Sequence, residues 1–114
     1  MIIGAHSLFY SSNVEADMAF FKDVLKFPHV DAGRGWLIFG LPPSEIAIHP
    51  TYQGGQFDFF LMVDEINSFV TEMAAQGVEC SEIDTQRWGL VTHLTLPSGG
   101  KLGVYEPKHV RPVV

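Results

Sequence analysis

Two histidines and an aspartate stand inside runs that otherwise read as core. His6 interrupts IIGAHSLFYSS, and His49 and Asp58 fall within LPPSEIAIHPTYQGGQFDFFLMVDE, residues 41–65. Imidazole and carboxylate groups exchange protons and take hydrogen bonds, and neither tolerates burial without a partner. A wall facing a cavity is the setting that suits all three. Nearer the C-terminus, His93 shares one side of its run with Val91 and Thr95, and Tyr105 offers a phenol that can donate a hydrogen bond or act as a weak acid. Trp36 and Trp88 supply large flat surfaces for a planar ligand, and Arg34, in the turn GRG, could pair with an anion.

The elements that must position these residues are legible from periodicity. Residues 2–11 are short, apolar and rich in β-branched and aromatic side chains, which predicts a strand. A helix follows: Ser12 and Glu15 fit a capping box, Val14, Met18, Phe21 and Leu25 form one stripe, and Pro28 marks the end. HVDAG, GWLIFGL and SEIAIHP are three extended pieces parted by glycines and the Pro42 and Pro43 pair, so a meander is expected. After the linker YQGGQ, FDFFLMV predicts a strand and Asp64 a helix cap. Ile66, Phe69, Val70 and Met73 give that second helix its apolar face, and Gly77 its stop. VECSEID, GLVTHLTLP and KLGVYEP are again extended, the last two joined by SGG, a hairpin turn signal.

The second half therefore repeats the first. A shift of 52 positions lays Leu8 on Phe60, Phe9 on Leu61, Val14 on Ile66, Met18 on Val70, Phe21 on Met73 and Trp36 on Trp88. Helix stripes, strand ends and both tryptophans keep one register, which is the mark of an internal repeat. The expected fold class is α+β: two tandem βαβββ modules, residues 1–52 and 53–108, with a tail over 109–114, in a single domain spanning 1–114. Under the same shift His6 falls on Asp58, while His49 corresponds to Gly103 once a slightly longer hairpin is allowed. Strand alternation would set Leu102 and Val104 on a helix and leave Lys101, Gly103 and Tyr105 on the other face.

Composition narrows the classes of function. A net charge of −6, with seven Lys and Arg scattered along the chain, excludes the basic stripe expected of a nucleic-acid or anionic-membrane binder. No apolar run approaches a membrane span and no secretory leader pattern is visible, so a cytoplasmic location is expected. Cys80 is the only cysteine, which rules out an intrachain disulfide and a cysteine-based zinc site. Apolar content of 46% in 114 residues implies a lined cavity or an oligomer interface beyond the core.

In order and spacing the chain resembles the vicinal oxygen chelate superfamily, which groups glyoxalase I, the bleomycin and fosfomycin resistance proteins and the extradiol dioxygenases. HSLFYSSNVEADMAFFKDVLKF is similar to the glyoxalase-like first strand and helix, and LTLPSGGKLGVYEP to the closing hairpin. The resemblance implies curved mixed sheets around a cavity, a homodimer, and one divalent metal held by a residue from each of four strands. Carried over residue by residue, those positions are His6, His49, Asp58 and Gly103. The last has no donor, and glyoxalase I would offer a carboxylate there, so a standard glyoxalase reaction is not implied. Two imidazoles and a carboxylate still suit Fe, Mn, Zn or Ni. Two functions follow as expectations. One is a divalent-metal-dependent lyase or dioxygenase acting on a small oxygenated substrate, with Tyr105 as a catalytic acid; the other is a metal-free dimer that sequesters a planar small molecule between aromatic walls, lined by Trp36, Trp88, Arg34 and His93. His29 and His109, beside turns and prolines, read as surface residues, and Glu45 as a solvated strand end.

Overall fold

The computed structural model describes residues 6–45, 47–48, 52 and 57–112. Its first helix, α1, is Val14–Asp23, capped by the Asn13 side chain, which accepts from the Ala16 N–H. Ser12, expected as the cap, instead turns its hydroxyl to the Ser98 carbonyl. Glu15 and Asp17 lie in the first turn and Lys22 in the last, each on the side of the helix dipole that favours it. The second helix, α2, is Ile66–Ala75, capped by Glu65 rather than Asp64. Gly77 follows it at a φ of 75°, a left-handed turn that glycine makes without the strain a Cβ would add. Both helices begin and end 52 positions apart, as the repeat requires.

The second unit carries the main sheet. Strands β3 (Phe60–Met62), β4 (Asp84–Thr85), β5 (Gly89–Thr95) and β6 (Lys101–Pro107) are ordered β3-β6-β5-β4. β3 runs parallel to β6, and the other neighbours are antiparallel. β5 and β6 match the two runs read from sequence around SGG, whereas VECSEID contributes only β4 and an isolated bridge from Cys80 to Leu94.

Among the described residues the first unit is thinner. Its strands β1 (His29–Asp31) and β2 (Leu37–Phe39) pair antiparallel as a separate two-stranded sheet. The expected third strand, SEIAIHP, is not a strand at residues 44–45 and 47–48, and its remaining residues lie outside those described. Residues 6–11, the described part of the expected first strand, are likewise irregular. The two sheets do not close on one another among the described residues. The α+β class and the βαβββ order of the second unit hold. Strand pairing needs a neighbour with free N–H and C=O groups, and apolar alternation in one chain cannot say which neighbour that is.

The core lies between the helices and one face of the β3 to β6 sheet. Leu94, Leu96, Leu102 and Val104 are almost wholly buried there with Phe20 of α1, and Phe69, Leu61 and Val63 pack around them. Leu102 and Val104 thus face the helices, as alternation required. Each such side chain contributes about 1.5–3 kcal/mol by leaving water. The stripe of α1 is rotated from expectation: Phe20 is 6% exposed, while Val14 is 37% exposed. The helix packs on two surfaces at once, Phe20 on the main sheet and Phe21 on Phe39 of the hairpin, with ring centroids 5.5 Å apart. Asp17 anchors it. This carboxylate is 5% exposed and accepts from both the Ser98 N–H at 3.1 Å and the Ser98 hydroxyl at 2.8 Å, in the turn between β5 and β6.

Candidate ligand-binding site

The face of the main sheet turned away from the helices is built in rows. Phe60 on β3, Gly103 on β6 and His93 on β5 stand opposite one another in register, and the next row is Met62, Tyr105 and Val91. Gly103 explains the first row. A Cβ there would meet the Phe60 ring, 2.6 Å from Cε1 and 3.2 Å from Cγ, far inside ordinary contact. With no side chain on Gly103, Phe60 lies across β6 and reaches the His93 ring, the centroids 6.1 Å apart. The Phe60 ring therefore fills the space that any side chain at position 103 would need.

Tyr105 is the centre of the second row. Its ring meets Trp88 at 5.6 Å and Phe60 at 5.9 Å, both edge to face, the arrangement the ring quadrupoles favour. Its hydroxyl donates to Glu45 Oε2 at 3.0 Å and lies 3.2 Å from His109 Nε2. The same Glu45 oxygen is 3.2 Å from His109 Nε2, and Oε1 accepts from Arg111 Nε at 3.1 Å. Burial and the Glu45 carboxylate together raise the Tyr105 pKa to about 12, so the phenol keeps its proton across the working range. Burial opposes ionisation of Glu45, but hydrogen bonds from Arg111 and Tyr105 and the charges of His109 and Arg111 outweigh it. The carboxylate pKa falls below its usual value. The outcome is a neutral donor held against a fixed negative charge, beside an aromatic wall.

The residues singled out from sequence divide between two places. Trp88, His93 and Tyr105 belong to this corner, together with Phe60, Glu45, His109 and Arg111. Trp36 is in the turn between β1 and β2, 61% exposed, and joins no aromatic pair among the described residues. Arg34 is in the same turn at a φ of 55°, where the Asp31 side chain accepts from the Gly33 and Gly35 N–H groups. His6 and Asp58 are both exposed, and His49 lies outside the described residues. Among the described residues no three of His, Cys, Asp and Glu converge on a point that would hold a metal ion. A metal set including His49 is therefore carried by the sequence alone.

Glu45, read from sequence as a solvated strand end, is part-buried against Tyr105, while His109 stays at the surface and still reaches the Tyr105 hydroxyl. Glu45 is 60 positions from Tyr105, and no local pattern links them. Phe60 had a signal: it shares strand phase with Asp58.

No family model and no curated protein sequence matches the chain. Solved structures do match. TnmS3, an antibiotic binding protein from a Streptomyces species, superposes with a TM-score of 0.68 at 20% identity, covering 95% of this chain and 99% of that one. The fold is that of the glyoxalase, bleomycin resistance and dioxygenase superfamily. A superfamily member from Sphaerobacter thermophilus gives 0.65 at 18% identity, over 92% of this chain and 98% of that one. Lactoylglutathione lyase from Agrobacterium tumefaciens gives 0.63 at 17% identity, over 91% and 92%. At these identities the likeness is one of fold, and the vicinal oxygen chelate fold hosts both binding and catalysis.

Proposed function

We propose that this chain binds a small planar molecule against the aromatic corner of its main sheet, in a homodimer. The observation that carries this reading is the row of Phe60, Gly103 and His93 beside Tyr105 and Trp88, where the Phe60 ring takes the space a side chain at 103 would need. Trp88 and Phe60 would stack on the ligand, His93 and Tyr105 would meet its polar edge, and Glu45 would favour a donor or a cation. The fold shared with an antibiotic binding protein supports binding of a small molecule. Fluorescence titration with a panel of planar aromatic compounds tests it: Trp36→Phe should keep ligand-induced quenching and Trp88→Phe should lose it. Equal quenching in both variants, or none in either, would sink the proposal.

The dimer is supported by exposed apolar side chains. Among the described residues Leu8, Tyr10, Val30, Trp36 and Phe57 are each more than half exposed, and a second copy could cover part of that surface. Sedimentation at micromolar concentration should give twice the chain mass; a monomer would overturn this part of the reading.

A metal-dependent lyase or dioxygenase is the second reading, favoured by the fold shared with a protein named lactoylglutathione lyase. It requires His6, His49 and Asp58 to supply the ligands, with Gly103 supplying none. Calorimetry with Zn, Ni, Mn and Fe(II) tests it. Uptake of one ion, lost in both His6→Ala and His49→Ala, would establish it, and no uptake by the folded wild type would end it.

A further inference from the structure

Beyond β6 the chain does not leave the sheet. The Lys108 N–H donates to the Trp88 carbonyl at 2.9 Å, and residues 108–112 then pass over Tyr105 without joining a strand. What holds them is side-chain chemistry. His109 lies against the Tyr105 ring, centroids 6.2 Å apart, and Arg111 reaches Glu45 from a side chain that is still 45% exposed. Glu45 itself is only 16% exposed, so it is a sheltered carboxylate whose cation comes from a loosely held segment. Beside this pair Arg111 also walls a groove with Asp64 and Glu106, and those carboxylates could receive its guanidinium if it left Glu45.

The His109 ring on Tyr105 and the Arg111 guanidinium on Glu45 together present what a cationic aromatic ligand would present at the same place. Trp88 and Tyr105 offer ring faces and edges to such a ligand, and Glu45 offers the charge. The net charge of −6 would draw it in.

We infer that residues 108–112 form a displaceable strap in which Arg111 acts as an internal stand-in for a cationic aromatic ligand, so that ligand and strap compete for Glu45. This inference rests on the aromatic corner being the ligand site. It explains why a carboxylate in a sheltered corner is neutralised by a half-exposed side chain rather than by a buried one. It also predicts a direction of selectivity: a planar cation gains from Glu45, while a neutral compound of the same shape does not.

The test uses the full chain with proflavine, a planar cation, and acridone, a neutral compound of similar outline, each titrated by fluorescence. Arg111→Ala should bind proflavine about threefold more tightly than wild type, the scale set by a part-exposed ion pair. Glu45→Gln also frees the strap but removes the charge, so its preference for proflavine over acridone should fall below that of Arg111→Ala. Hydrogen exchange over 108–112 should quicken when proflavine binds wild type. Both variants change partly exposed side chains, and far-ultraviolet circular dichroism would confirm that they fold. If both dyes bind wild type but Arg111→Ala leaves proflavine affinity unchanged, the strap is wrong and the aromatic site stands. If the two variants share one selectivity ratio, the role of Glu45 is wrong. If neither dye binds wild type or Arg111→Ala, both the strap and the site it covers are overturned.

Discussion

The two repeat units begin from the same plan and end differently. In the second, a four-stranded sheet buries Leu94, Leu102 and Val104 under α2 and α1. In the first, β1 and β2 make a two-stranded hairpin whose β1 is exposed throughout, and Val30 is 64% exposed. A lone hairpin is marginal in water, so the first unit depends on what it leans against. Within the chain that support is α1, through Phe21 and Phe39 on one side and Phe20, Asp17 and Ser98 on the other. A repeat in sequence thus need not give two equal folding units. One sheet organises the core and the site, and the other is carried by it.

Core truncation should separate the units most. Leu94→Ala should cost about 2–5 kcal/mol in denaturant unfolding, whereas Val30→Ala in the hairpin should stay within about 0.5 kcal/mol. A comparable loss at both positions would mean that the hairpin is as well packed as the sheet. Asp17→Ala comes next: it strips the part-buried Ser98 N–H and hydroxyl of their acceptor, and should cost about 1–3 kcal/mol. If the link works as described, hydrogen exchange will quicken in α1 and at the turn between β5 and β6 together.

Gly103→Ala sharpens the account of the site itself. The added methyl must push Phe60 aside, at a cost of about 1–3 kcal/mol, and Phe60→Ala in the same chain should recover part of it. A double variant no more stable than Gly103→Ala would show that the strain lies elsewhere. The smallest effect is the titration of Tyr105. Its pKa is raised to about 12 in the folded chain, above the ordinary value near 10, so it adds stability below pH 10 that is lost as pH rises toward 12. Glu45 has the opposite sign: its lowered pKa adds stability above the usual carboxylate range, lost as pH falls through it. Tyr105→Phe should remove the alkaline part of this pH dependence when unfolding is followed against pH.

How far the sequence carried these features depends on their range. The helices, their 52-residue spacing and the hairpin of β5 and β6 follow from local periodicity and turn chemistry, and the structure keeps them. The faces of Leu102, Val104 and Tyr105 follow from alternation alone. The third strand expected at SEIAIHP is not formed at its described residues, because pairing depends on a partner that periodicity does not name. Glu45 reads as a solvated strand end for the same reason: only folding brings it to Tyr105, and nothing near Ser44 or Glu45 in the chain signals that contact. Phe60 over Gly103 was within reach, since a glycine at a position where the fold can carry a side chain asks what fills its space.

The central claim is that the aromatic corner of the second unit receives a planar ligand. Side-chain NMR of the aromatic rings during titration with acridone tests it most directly. Resonances of Phe60, Trp88, His93 and Tyr105 should shift together along one binding curve while Trp36 in the hairpin stays in place; shifts confined to Trp36, or absent throughout at saturating acridone, would contradict it.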